Sequence, residues 1–108
     1  EIENAFDSFW CLLADSGVIG TVALKKIDDA TAELKALYLS KEFRGMGLGR
    51  RLMDTALSFA KEKGYGRLVL DSMAQYTQAL KLYEKSGFTK TERYNDNEYA
   101  DTFMEKIL

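Results

Sequence analysis

The sequence predicts one mixed α/β domain whose elements follow the order β-β-β-α-β-α-β-β. Apolar residues alternate along three early segments and recur at helical spacing from residue 48. The helical spacing ends before a short apolar strand at 67–71. A series of strands that leads into a strand-helix-strand unit is typical of an antiparallel meander joined to a right-handed crossover. The 108 residues, 46% of them hydrophobic, suffice for one core, so we expect a single domain over residues 1–108.

The first three strands form the predicted meander. Two apolar segments, 6–14 and 18–27, are separated by the turn sequence Asp15-Ser16-Gly17 and therefore indicate a hairpin. Asp28-Asp29 marks a second turn, and the third strand is expected at 31–39.

The first helix begins where the period changes near Gly49. The sequence Lys61-Glu62-Lys63-Gly64 places cations and a glycine at its end, as helix C-termini prefer. A short apolar strand is expected next, at 67–71. The apolar face of this helix is formed by Leu48, Leu52, Ala56, Phe59 and Ala60.

The remaining elements are a second helix and two strands. Ser72 and Gln75 have the spacing of a capping box, so we expect the second helix to start near them and to end at Gly87. Strands are expected at 89–94 and 101–108, separated by an exposed loop at 95–98.

Composition excludes several classes of function. The net charge of −2 gives no strong field for nucleic acid, and no apolar run is long enough for a membrane span. The absence of histidine removes the usual general base and the usual metal ligand, so we expect no metal. The single cysteine, Cys11, indicates a reducing, cytoplasmic location. We expect Cys11, Phe9 and Trp10 to be core residues.

The sequence "EFRGMGLGRRLM" at 42–53 predicts an anion site. A strand, a glycine-rich turn and a helix start present backbone N–H groups and the positive end of a helix dipole. Arg44, Arg50 and Arg51 add cationic donors beside the turn. The spacing does not fit a P-loop or a dinucleotide fingerprint. A turn that serves packing alone is the structural alternative.

Two motifs together resemble the GNAT superfamily of N-acetyltransferases, which bind acetyl-coenzyme A. The segment 44–49 satisfies R-x-x-G-x-G, and Ala79-x-x-Leu82-Tyr83-Glu84-Lys85-x-Gly87-Phe88 follows on the second helix. The resemblance covers residues 9–94 and implies a GNAT-like central sheet. The family's N-terminal strand and paired helices are absent before residue 6, and the chain opens with Glu1 rather than methionine. We therefore expect upstream residues to be missing.

The resemblance also implies a set of residues that bind acetyl-coenzyme A. In the family the pyrophosphate lies on the backbone of the glycine turn, the pantetheine arm runs beside the preceding strand, and the strand here at 67–71 splays away to form the slot. The second helix contributes further contacts, although this chain has Tyr76 where relatives often have asparagine. The expected set is Leu37, Tyr38, Leu39, Arg44, Gly45, Met46, Gly47, Leu48, Gly49, Arg50, Tyr76 and Ala79.

Two residues are candidates for the chemistry that the resemblance implies. Tyr83 matches the tyrosine that protonates the leaving thiolate in many relatives; its alternative is core packing. Glu33 lies on the strand before the turn, where several relatives place a carboxylate base. Strand alternation places it on the face of Lys35 and Leu37, and its alternative is a solvated surface acid.

The predicted function is therefore transfer of acetyl from acetyl-coenzyme A to a primary amine of a small molecule or peptide, directly in a ternary complex. The alternatives are a non-catalytic acyl-coenzyme A binding domain, acting as a sensor or partner subunit, and a plain interaction module. We expect neither nucleic acid nor membrane as a partner, and a sheet face left uncovered is expected to favour a homodimer. The acceptor amine is not readable from the sequence.

Overall fold

The structure is a computed structural model that describes residues 8–108. This part of the chain contains six strands, two α-helices and one 3₁₀-turn at Lys41–Phe43. The elements are β1 (Ser8–Ala14), β2 (Gly17–Lys26), β3 (Thr31–Leu39), α1 (Leu48–Glu62), β4 (Arg67–Ser72), α2 (Thr77–Lys85), β5 (Thr89–Lys90) and β6 (Thr102–Ile107). The predicted order of elements and the mixed α/β class are confirmed. The first two residues of the strand expected at 6–14 lie outside the described residues.

The six strands form one mixed sheet in the order β1-β2-β3-β4-β6-β5. Neighbours pair in antiparallel fashion except β3 and β4, which are parallel. The parallel pairing comprises Thr31 with Arg67, Ala32 with Leu68, and Glu33 with Val69. Beyond Glu33 the two strands separate, so no strand within residues 8–108 pairs with the second half of β3 on that side.

Both helices pack on the same face of the sheet. Alternate residues of four strands point to this face and form one cluster with the apolar stripe of α1 and with Tyr83 of α2. Each fully buried leucine-sized side chain contributes about 1.5–3 kcal/mol to the free energy of unfolding. The principal members of the cluster are Val22, Leu24, Ala32, Leu34, Leu52, Met53, Ala56, Leu68, Leu70, Tyr83 and Met104.

Three local predictions are wrong. Ser72 does not cap a helix, because it pairs with Thr102 at the end of β4, and α2 begins only at Thr77. The strand expected at 89–94 ends at Lys90, and residues 91–101 form an irregular loop. The loop at 95–98 is not fully exposed, since Asn95 and Asn97 are half-buried.

The edge strand β1 also differs from expectation. Trp10 faces the helices and packs edge-on against Phe59, with ring centroids 5.0 Å apart. Phe9 and Cys11 alternate to the opposite face and are exposed, so their assignment to the core is wrong. None of the described helices is long and apolar enough to cross a bilayer.

Candidate active site

A cleft of about 770 Å³ opens where β3 and β4 separate. One wall is the free edge of β3, and the other is built from the end of β4, from α2 and from the loop before β6. Because no described strand pairs with β3 here, its backbone can pair with an extended ligand. The lining comprises residues 34–39, Arg44, Gly49, 71–73, 75–79, Leu82, Tyr83, Asn97, Tyr99 and Ala100.

A β-bulge at Ala36 shapes the wall formed by β3. Between two paired positions β2 advances from Thr21 to Ala23, while β3 spans Lys35 to Tyr38, one residue more. Ala36 has a φ of 53°, and Thr21 Oγ1 donates a hydrogen bond of 2.5 Å to its carbonyl oxygen. The sequence of this segment does not predict the bulge. Alanine rarely adopts the left-handed conformation, so its presence gives no reason to expect a bulge there.

The bulge reverses the alternation of the strand. Leu34 belongs to the core before the bulge, and Leu37 packs against the same core after it. Leu37 therefore does not share a face with Glu33, and that part of the prediction is wrong. The extra residue, Ala36, is the physical reason.

The glycine turn lies at one end of the cleft. Gly45 and Gly47 have φ values of 82° and 79°, and a Cβ added to either would meet no atom within 4 Å. The first backbone hydrogen bond of α1 runs from Arg51 N–H to the carbonyl oxygen of Gly47, at 3.2 Å. The N–H groups of the first turn therefore have no partner within the helix. Gly47 caps the helix without a side-chain bond, and no acidic residue lies in the first turn. This end of the cleft suits an anion.

Arginines flank the turn in two different arrangements. Arg44 Nε donates to the carbonyl oxygen of Leu39 at 3.0 Å, which fixes the guanidinium beside the end of β3. Arg50 instead pairs with Asp54 at 3.0 Å on the exposed surface of α1. Of the arginines that flank the turn, Arg44 is the one that lines the cleft.

Tyr83 projects from α2 into the cleft and is only 8% exposed. Its ring lies edge-on to Phe88, with centroids 6.1 Å apart, while the described residues give its hydroxyl no hydrogen-bond partner. Burial, together with the negative charge of Asp71, raises the pKa of Tyr83 above its ordinary value. The phenol therefore retains its proton at neutral pH.

Glu33 lies outside the cleft, in a separate depression of about 400 Å³. It is 6% exposed and accepts hydrogen bonds from Tyr94 Oη at 2.5 Å and Asn95 Nδ2 at 3.5 Å. Lys35 Nζ lies 3.8 Å from Glu33 Oε2. The interpretation of Glu33 as a solvated surface acid is wrong.

The loop between β5 and β6 brings polar groups that the sequence did not predict. Asn95 Nδ2 and Asn97 Nδ2 donate to Asp71 Oδ2 at 2.7 and 3.3 Å. The guanidinium of Arg93 donates to the carbonyl oxygens of Asn95, Asn97 and Ala100 at 3.4, 2.9 and 2.9 Å. The only sequence signal is the Asn-x-Asn spacing, which favours side-chain turns.

The cleft brings together most of the predicted site residues. Glu33 lies elsewhere, and five residues of the glycine turn and the start of α1 adjoin the cleft without lining it. The described residues contain no cluster of three or more cysteine, aspartate or glutamate side chains placed to hold a metal ion. The predicted residues in the lining are Leu37, Tyr38, Leu39, Arg44, Gly49, Tyr76, Ala79 and Tyr83; those that adjoin it are Gly45, Met46, Gly47, Leu48 and Arg50.

Comparison with known proteins relates this arrangement to acetyltransferases. Residues 1–88 match the Acetyltransferase (GNAT) family. The chain is 38% identical over 88 residues to human N-acetyltransferase 8B, an alignment that covers 77% of this chain and 39% of that protein. It spans less than half the length of the curated relatives it matches.

Two solved structures show the same architecture. An acetyltransferase from Streptococcus agalactiae is 31% identical and superposes with a TM-score of 0.92, covering 99% of this chain and 73% of that one. The PaiA N-acetyltransferase of Thermoplasma acidophilum, solved in complex with coenzyme A, is 32% identical with a TM-score of 0.82 and covers 99% and 64%.

Proposed function

The chain belongs to the acetyltransferase (GNAT) family, and from that membership we propose that it transfers acetyl from acetyl-coenzyme A to a primary amine of a small molecule or peptide. The observation that carries the proposal is the continuity of the cleft. The cleft runs from the glycine turn and Arg44, past the free edge of β3, to the phenol of Tyr83.

The residues present fit coenzyme A. The open space above Gly45 and Gly47, the N–H groups that begin α1 and the guanidinium of Arg44 suit the pyrophosphate. The free edge of β3 at 37–39 suits the extended pantetheine arm. When bound, acetyl-coenzyme A supplies an activated acyl carbonyl. That a related chain was solved with coenzyme A supports this assignment.

Tyr83 is the proposed general acid. Its pKa is raised by burial and by the charge of Asp71, so its hydroxyl holds a proton that it can give to a thiolate leaving group. The hydroxyl has no partner within the described residues that would compete for that proton.

Direct transfer in a ternary complex is the proposed route. The sequence has no histidine, and its single cysteine, Cys11, is exposed on β1 rather than in the cleft. A covalent acyl-enzyme would need an activated nucleophile in the cleft. The role of Glu33 as general base stays a prediction. Its carboxylate accepts hydrogen bonds from Tyr94 and Asn95, and solvent can accept the proton of the acceptor amine instead.

The exposed, unpaired thiol of Cys11 is consistent with the expected cytoplasmic location.

A non-catalytic acyl-coenzyme A binding domain is the second candidate. Tyr76, 53% exposed in the cleft, replaces the polar amide that the family often carries, which favours binding without transfer. Release of free thiol from acetyl-coenzyme A in the presence of a panel of primary amines distinguishes the two. Amine-dependent release supports the enzyme. Cofactor binding by calorimetry without release supports the binding domain, and absence of both rejects the two functions together.

A further inference from the structure

We infer that Asp71 selects the acceptor, and that its carboxylate binds a cationic group of the amine substrate. The acceptor class is a primary amine that carries a second cationic centre. This inference rests on the proposed acetyl transfer for the reaction, but the binding step that it describes is measurable without it.

The charges in the cleft are unevenly distributed. Apart from tyrosines, its ionisable lining residues are Lys35, Arg44 and Asp71. The ammonium of Lys35 lies 3.8 Å from Glu33 Oε2. Arg44 is held at the glycine-turn end of the cleft by its hydrogen bond to the carbonyl oxygen of Leu39. Asp71 is therefore the one carboxylate in the described lining, and it lies on the wall formed by β4.

Asp71 is half-buried and has no cationic partner among the described residues. Its Oδ2 atom accepts from the amides of Asn95 and Asn97, while Oδ1 takes no hydrogen bond from the part of the chain that the structure describes. Neutral amide donors orient a carboxylate but do not neutralise its charge. A half-buried, oriented and unpaired carboxylate in a ligand-sized cleft is a binding group for a cation.

The position of Asp71 relates it to the proposed chemistry. Its negative charge contributes to the raised pKa of Tyr83, so a cation bound to Asp71 lies within electrostatic reach of that hydroxyl. The reacting nitrogen must be neutral when it attacks a carbonyl. The ammonium that Asp71 holds through the reaction is therefore a second one, and this defines the substrate class.

Aromatic residues around the opening suit the same ligand. Tyr38, Tyr76 and Tyr99 line the cleft and are 53%, 53% and 75% exposed. Tyr99 N–H donates to Asn97 Oδ1 at 3.1 Å, so the amide that orients Asp71 also positions Tyr99. Faces of exposed tyrosines attract ammonium groups.

The test uses three amines of equal length that differ only at the far end: 1,5-diaminopentane, 1-aminopentane and 5-aminopentanoate. The wild-type chain should have its highest kcat/KM for the diamine and its lowest for the carboxylate. Asp71→Asn keeps an oxygen that can accept from Asn95 and Asn97, and it removes the charge. We expect this variant to lose about tenfold or more of the preference for the diamine over 1-aminopentane, mainly through KM.

Asp96→Asn is the matched control, because it removes the same charge from an exposed residue of the loop that carries Asn95 and Asn97. It should keep the wild-type order of the three amines, and both variants should keep the wild-type affinity for coenzyme A. Equal kcat/KM for the three amines in the wild type, or an unchanged preference in Asp71→Asn, would overturn the inference.

Binding of the three amines by titration calorimetry separates this inference from the proposed function. If the chain transfers no acetyl but binds the diamine in preference to 1-aminopentane, and Asp71→Asn abolishes that preference, the role of Asp71 stands and acetyl transfer is rejected. If acetyl is transferred to all three amines without preference for charge, acetyl transfer stands and the role of Asp71 is rejected.

Discussion

The hydroxyl of Tyr94 donates a 2.5 Å hydrogen bond to Glu33 Oε2, joining residues 61 positions apart in the sequence. The ring of Tyr94 packs edge-on against Phe103, with centroids 5.6 Å apart, and Glu33 is almost fully buried. This bond attaches the loop after β5 to the strand that forms one wall of the cleft. A long-range contact thus holds the two walls in position.

Tyr94→Phe should reduce the loss of stability at alkaline pH. Burial comes first among the causes that raise the pKa of Tyr94, followed by the bond to Glu33 and the charges of Glu33 and Asp71. An unfolded tyrosine loses its proton near pH 10, whereas folded Tyr94 keeps it. Its contribution to the free energy of unfolding is therefore complete below about pH 10 and falls above it, by about 1.4 kcal/mol per pH unit.

Urea unfolding at a series of alkaline pH values measures this dependence. The slope for Tyr94→Phe should be shallower than that of the wild type by about the contribution of one group. Tyr99→Phe, which removes an exposed hydroxyl, should keep the wild-type slope. Parallel curves for Tyr94→Phe and the wild type would contradict the prediction.

Gly47→Ala should weaken the binding of coenzyme A by about tenfold or more, because the added methyl group occupies the space where a phosphate approaches the backbone. The φ of 79° also makes alanine unfavourable, at a cost of about 1–2 kcal/mol. Gly64→Ala is the matched control, since Gly64 has a φ of 87° and equally open space at the far end of α1.

The two glycine variants should lose similar stability, and only Gly47→Ala should lose affinity for coenzyme A in calorimetry. Pantetheine, which has no pyrophosphate, should bind the wild type and Gly47→Ala alike. Equal losses of affinity in both variants would indicate that the turn acts only through the stability of the fold.

Tyr83→Phe should lower kcat by more than tenfold and leave the affinity for coenzyme A nearly unchanged. A positioned general acid contributes about 10²–10⁴-fold, and its proton is needed only in the transition state. Since the hydroxyl has no partner among the described residues, its removal should change the melting temperature little. Steady-state kinetics and thermal unfolding measure the two effects. An unchanged kcat with an unchanged melting temperature would reject Tyr83 as the acid.

Arg93→Lys should loosen the loop before β6 without unfolding the core. The guanidinium contacts three carbonyl oxygens and lies over the ring of Phe103, 4.5 Å from its centroid, an arrangement that a lysine ammonium cannot reproduce. Amide hydrogen exchange should become faster at 95–100 and stay unchanged in α1. Arg51→Lys, on the exposed side of α1, is the control. Faster exchange throughout the sheet would contradict a local role.

The sequence predicted those elements whose signals are local. The period of α1 follows from residues close in the chain, and the helix is confirmed at Leu48–Glu62. The capping box at Ser72 was also a local signal, but pairing with Thr102 overrides it. Local patterns therefore predict an element well only where no distant strand competes for the same backbone.

The rest of the site depends on contacts between distant residues. The bulge at Ala36 is stabilised by Thr21 of the neighbouring strand, and no residue beside Ala36 indicates it. Asp71 lies near the end of an apolar strand, and its carboxylate is oriented by Asn95 and Asn97, which are 24 and 26 positions away in the sequence. Periodicity cannot predict such contacts, since they require the loop to be placed against the sheet.

The position of β6 has a consequence for the synthesis of the protein. This strand lies between β4 and β5, although it follows both in the chain. A ribosome therefore releases β4 and β5 before the strand that pairs with each of them, whereas β1 to β3 pair only with neighbours in sequence and can assemble as they emerge. Until β6 is released, β4 and β5 present unpaired edges, which are templates for aggregation. The growing chain most needs chaperone protection in that interval.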